Sequence, residues 1–143
     1  MKLPNQVSAR VLGFGGLVPF VVFAALSLVG PEGWHDWVSR GLIAYGAVIL
    51  SFLGGITWGL AVTRQRARDP LYLASMAPFF AGWVALLLPV LPGLLLLMAA
   101  FLGALVNDLL LKRAGLSPGW FFSMRLILTA VVVASLAVAA FGL

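Results

Sequence analysis

The chain has no cysteine, one histidine and four acidic residues. The first absence excludes disulfides, thiol chemistry and cysteine-ligated metal. The second excludes any multi-histidine metal or haem site built from this chain alone. Charge of either sign is scarce, 9% of residues against about 25% in ordinary soluble domains. A soluble fold of 143 residues has too little interior to hide an apolar content of 63%.

Long uncharged runs fill the chain instead. Gly41–Thr63 carries no charge, and about 20 helical residues cross a hydrocarbon core of roughly 30 Å. Residues 70–107 are also uncharged, and Leu88-Pro89-Val90-Leu91-Pro92-Gly93 divides them into two antiparallel helices. The pattern predicts an all-α polytopic membrane protein forming one domain. Its five transmembrane helices are expected at about 11–29, 41–63, 71–88, 94–111 and 121–141. The first run continues to Pro31 without a good cleavage site, so it reads as a retained signal anchor.

Small residues and prolines mark how the helices should pack. Ala47, Ser51, Gly55 and Gly59 stand four apart in the second span, a stripe along which another backbone can approach inside lipid. Pro19 and Pro78 lie inside the first and third spans and are candidate kinks. Each removes a ladder hydrogen bond and frees a carbonyl that a neighbour must cover. The 30–40 connection reads as an interface segment, broken by Pro31 and Gly33, with Trp34 and Trp37 on one face. Glu32, His35 and Asp36 face water there.

The formal net charge is +5. The basic residues sit between apolar runs, so they mark loops on one side of a bilayer rather than a nucleic-acid partner. With the N-terminus in the cytoplasm, Lys2, Arg10, Arg64, Arg66, Arg68, Lys112, Arg113 and Arg125 gather on that side and Arg40 alone lies opposite. The expected topology is therefore five spans with a cytoplasmic N-terminus and an external C-terminus.

Few polar groups remain in or near the spans. Asp108 and Lys112 are spaced for a salt bridge on one helical face, at the membrane rim. Arg125, one turn into the last span, either snorkels to the basic surface or pairs with Asp108. Asn107 precedes Asp108; Thr57 can return its hydroxyl to its own backbone, and Trp58 lines the interface. No nucleophile, base and orienting acid occur together, and no metal, cofactor or phosphate cradle is expected. Ser51–Arg64 and Ala100–Arg113 align as a faint repeat, which predicts two parallel helical hairpins plus a fifth helix.

YGAVILSFLGGITWG from Tyr45 to Gly59, the two-proline hairpin and GLSPGWFFSMRLILTAVVV from Gly115 to Val133 together resemble a bacterial inner-membrane family labelled a domain of unknown function, DUF3429. That family is similar to the small mitochondrial transmembrane protein 69 of animals. The family more often has histidine before the tryptophan of the second span, where Thr57 stands, which weakens any scheme needing an imidazole there. The resemblance implies a multi-helix membrane protein and carries over no activity, cofactor or catalytic residue.

The expected function is that of a non-catalytic membrane protein, an accessory or assembly subunit of a larger complex, in contact with membrane lipids. One alternative is a small transporter or channel formed by self-association, lined by Thr57, Asn107, Asp108 and Arg125. A second is a lipid- or quinone-binding protein using Trp58 and the kinks at Pro19 and Pro78.

Overall fold

The computed structural model describes residues 4–63 and 69–142. The described chain is helical throughout: α1 Pro4–Gly15, α2 Val18–Val29, α3 His35–Thr63, α4 Asp69–Leu87, α5 Val90–Arg113 and α6 Gly119–Phe141, with a single 3-10 turn at Glu32–Trp34. Among the described residues, five helical stretches are long and apolar enough to cross a membrane. They are Gln6–Val29, Glu32–Thr63, Pro70–Leu87, Val90–Arg113 and Gly119–Phe141. The chain is an all-α, multi-pass membrane protein. Lys2 and the arginines at 64, 66 and 68, which weigh most on the expected orientation, lie outside the described residues.

The helices alternate in direction and close into a ring in which each spanning unit touches the next and α6 returns to α2. α3 is the hub, because it packs on α2 and α4 and reaches across to α5. Phe20, Leu42, Leu50, Leu94, Leu97, Phe101 and Leu136 fill the centre, each at most 1% exposed. Phe20 meets Tyr45 and Phe101 edge-on, at ring separations of 5.0 and 5.9 Å. This packing suits a bilayer, where dispersion contacts and close approach replace the hydrophobic drive.

Several boundaries differ from the sequence expectation. The 30–40 segment is largely helix, since α3 begins at His35 and continues without a break into the span. No proline or glycine interrupts residues 34–40, and Asp36 pairs with Arg40 one turn on, at 3.3 Å. Trp34 and Trp37 do share a face, with ring centroids 6.2 Å apart. The hairpin turn is tighter than its two prolines imply. Pro89 caps α5 and Pro92 falls in its first turn, where a missing N–H costs nothing. Gly93 then lets α5 close on α4, because a Cβ there would lie 2.9 Å from the Ala85 carbonyl oxygen.

The two prolines behave differently. Pro19 stands in the first turn of α2, and the span is broken before it at Gly16-Leu17. The Tyr45 hydroxyl donates to the Gly16 carbonyl at 2.8 Å, so a neighbouring helix covers the break. Pro78 lies within α4, which continues past it.

The small-residue stripe on α3 also sits elsewhere than expected. Ala47 is buried against Gly82, but Ser51, Gly55 and Gly59 face outward, and a Cβ at Gly55 or Gly59 would meet nothing within 4 Å among the described residues. The close approaches fall at Gly46, against Leu97 and Phe101, and at Gly54, against the Ser75 carbonyl. Helical geometry supplies the reason. Each residue turns the helix by about 100°, so a strict every-fourth stripe swings about 40° per step. From Ala47 to Gly59 it leaves the interface. The buried series Gly46, Leu50, Gly54, Thr57, Ala61 includes one step of three and stays on it.

Candidate functional site

A polar layer crosses the bundle near one end. Thr57, Asp108 and Arg125 each lie about 7–9 Å inside a helix end, at 1.5 Å per residue. Antiparallel order brings the end of α3, the end of α5 and the start of α6 together at this level. Arg125 Nε donates to Asp108 Oδ2 at 2.8 Å, with the two side chains 5% and 10% exposed. Beside them, Asn107 Nδ2 donates to Thr57 Oγ1 at 3.1 Å.

The sequence-predicted residues are thus partly brought together and partly separated. Asp108 pairs with Arg125, the second of the two partners open to it, and lies buried between helices rather than at an exposed rim. Lys112 instead stands over the Phe122 ring, 5.2 Å from its centroid. Thr57 receives the Asn107 amide, a partner 50 positions away that local spacing does not reveal. Trp58 is 48% exposed and meets Tyr72 edge-on at 5.1 Å, outside the polar layer but at the same level. That is the usual place for an aromatic at a membrane surface. Of the stripe, only Ala47 packs within the chain.

Sequence reasoning missed Tyr45 as a structural partner of the Gly16 break. The available signal was a hydroxyl-bearing aromatic in mid-span beside a glycine-rich first span. Thr129, one turn beyond Arg125, is 1% exposed, and its hydroxyl has no hydrogen-bond partner among the described residues.

Two cavities flank the ion pair. The first, about 390 Å³, lies among α3, α4 and α5, and its polar end is formed by Thr57, Asn107 and Asp108. Pro78 and several alanines complete its wall. The second, about 430 Å³, lies on the α1, α2 and α6 side of α3 and is apolar except for Arg125. Asp108 therefore lines one cavity and Arg125 the other. Chemically, the layer offers hydrogen-bond donors and a neutralised charge pair. It places no nucleophile beside a base. Among the described residues no group of histidine and carboxylate side chains is arranged to hold a metal ion.

The matched repeat positions lie in unlike surroundings. Phe52 is 65% exposed and Phe101 is 1% exposed. Gly54 is wedged against α4, whereas a Cβ at Gly103 would meet nothing within 4 Å among the described residues.

Comparison with known proteins places this architecture. The chain is 37% identical to transmembrane protein 69 of Xenopus tropicalis over 134 residues, covering 90% of this chain and 51% of that protein. It is 32% identical to transmembrane protein 69 of Mus musculus over 141 residues, covering 95% of this chain and 56% of that one. The chain spans about half the length of these curated relatives, which are vertebrate rather than bacterial. No solved structure matches. A family model described as protein of unknown function (DUF3429) matches residues 6–141, and the chain belongs to that family of membrane proteins.

Proposed function

We propose that the chain is a non-catalytic membrane subunit that docks against a helix of another membrane protein through the outer face of α3 and α4. The observation that supports this reading is the unused glycine face. A Cβ at Gly55 or Gly59 would meet nothing within 4 Å among the described residues, although each glycine costs its helix roughly 1 kcal/mol relative to alanine. Ala47 and Ser51 floor a groove walled by Phe79, Phe80 and Trp83, which continues past Gly55 to Trp58. A floor of small residues between aromatic walls is the shape that lets a second backbone come close in lipid.

The test is in-membrane photocrosslinking from position 55, compared between the native chain and Gly59→Leu. A discrete heteromeric adduct that Gly59→Leu abolishes, with the resistance of the chain to detergent unfolding unchanged, supports docking. No adduct, or one unaffected by Gly59→Leu, overturns it.

The same proposal sets the chain in a bacterial cytoplasmic membrane with its N-terminus inside and C-terminus outside. The basic residues favour one side eight to one, which supports this orientation. Single cysteines at Gly33 and Ala114 test it, the first labelling only from outside and the second only from inside. The reverse pattern overturns the orientation.

A further inference from the structure

The cavity among α3, α4 and α5 ends on polar groups whose bonding is incomplete. The Asp108 side chain is 10% exposed, and its contact with Arg125 Nε uses Oδ2. Its Oδ1 accepts no hydrogen bond among the described residues and, unlike Arg125 Nη2, is not sealed from solvent. Asn107 Nδ2 gives one N–H to Thr57 and keeps a second. Asp108, Asn107 and Thr57 line the same cavity, so one end of it offers an acceptor and a donor. The rest of the wall is apolar and built largely of small side chains, among them Ala77 and Ala81 on α4 and Ala100 and Gly103 on α5. They leave about 390 Å³ of space, within the range of small-molecule sites. From Asp108 back to Leu96 the wall runs about 18 Å along α5, at 1.5 Å per residue. Ala77, Ala99 and Gly103 are exposed, so the cavity opens between α4 and α5 toward lipid.

We propose that this cavity binds an uncharged amphiphilic alcohol, its hydroxyl between Asp108 Oδ1 and Asn107 Nδ2 and its apolar chain lying between α4 and α5. The head group follows from what the polar end lacks. A hydroxyl donates one hydrogen bond and accepts another, so it answers the carboxylate oxygen and the amide N–H together. An ether or ester only accepts and leaves Oδ1 unpaired. An ammonium head donates, but Arg125 already balances Asp108, so it brings an uncompensated charge into the bundle. Water satisfies the polar end but finds no partners along the apolar length. The depth suits a lipid as well. Asp108 lies about 7.5 Å inside the end of α5, and the chain runs from there toward the middle of the bilayer. The cavity shares no lining residue with the groove proposed above for a partner helix, so neither depends on the other.

Photolabelling of the purified chain in lipid nanodiscs tests the proposal, with dodecanol carrying a mid-chain diazirine as the probe. Adducts are expected on the cavity faces of α4 and α5. Unlabelled 1-dodecanol should compete at least tenfold better than its methyl ether or dodecylamine. Monolaurin and farnesol as further competitors separate a glycerolipid from an isoprenoid source, the stronger of the two identifying it. Gly103→Leu fills the cavity and leaves the polar end in place, since a Cβ there would meet nothing within 4 Å among the described residues. It should cut labelling at least tenfold, with resistance to detergent unfolding unchanged. The charge-balanced double variant Asp108→Leu, Arg125→Met removes the acceptor without stranding a charge, and should erase the preference for the alcohol over its ether. No adduct on α4 or α5 overturns the proposal. So does equal competition by the ether, stronger competition by the amine, or labelling that Gly103→Leu does not change.

Discussion

Among the described residues, two acid–arginine pairs stand in opposite settings. Asp36 and Arg40 are one helical turn apart at the start of α3, at 3.3 Å, with side chains 78% and 58% exposed. Asp108 and Arg125 come from different helices, at 2.8 Å, and are almost wholly buried. Both read in sequence as carboxylates near basic residues, yet their energetics differ in kind. An exposed pair gains little over its hydration and is screened by salt. A buried pair has surrendered its water, so each partner depends on the other. The lesson is that a membrane helix tolerates a charge inside the bundle only when a second helix brings its counter-charge to the same depth.

The largest expected effect comes from breaking the buried pair on one side. Asp108→Leu or Arg125→Met alone should cost about 3–5 kcal/mol, read as a lower midpoint in SDS unfolding from mixed micelles. If either single change costs less than about 1 kcal/mol, the pair is not isolated from water and the contrast collapses. Removing both charges together should restore most of the loss, because two apolar side chains of similar volume suit the site. A double variant no better than the singles would mean that other groups in the layer rely on these two.

Arg125→Lys sharpens the contrast by keeping charge while losing shape. A point charge on a flexible stem replaces the planar fork, and a loss of about 1–2 kcal/mol is expected in the same measurement. Tyr45→Phe tests a neutral contact of intermediate burial. Losing its bond to the Gly16 carbonyl should cost about 1 kcal/mol. An unchanged midpoint would show that the helix break covers its own carbonyls. Smallest of all, Arg40→Ala should shift stability by no more than about 0.5 kcal/mol, and less at high salt. A shift comparable to that of Arg125→Met would remove the distinction.

Much of the architecture was legible in the sequence, because uncharged length alone identifies a span and prolines mark its ends. The five spans and the sharing of a face by Trp34 and Trp37 follow from local pattern. The choice of partner for Asp108 did not. Lys112 lies four residues away, and Arg125 is brought near only by the packing of α5 on α6. The Asn107 bond to Thr57 is hidden for the same reason. The glycine stripe misled on its rotation, since helices that are apolar all round carry no polar face to fix which side is inward. The repeat of Ser51–Arg64 and Ala100–Arg113 matched letters that the bundle puts in unlike places, Phe52 against lipid and Phe101 in the core.

The tight joint at Leu88-Pro89 bears on how the chain enters its bilayer. Of the five spanning segments, that of α4 is the shortest and least apolar, and α5 follows it almost at once. With so little chain between them, the weaker segment need not partition by itself. The strongly lipophilic α5 can carry it across, so the translocation machinery would meet the two as a single helical hairpin rather than as successive stop signals.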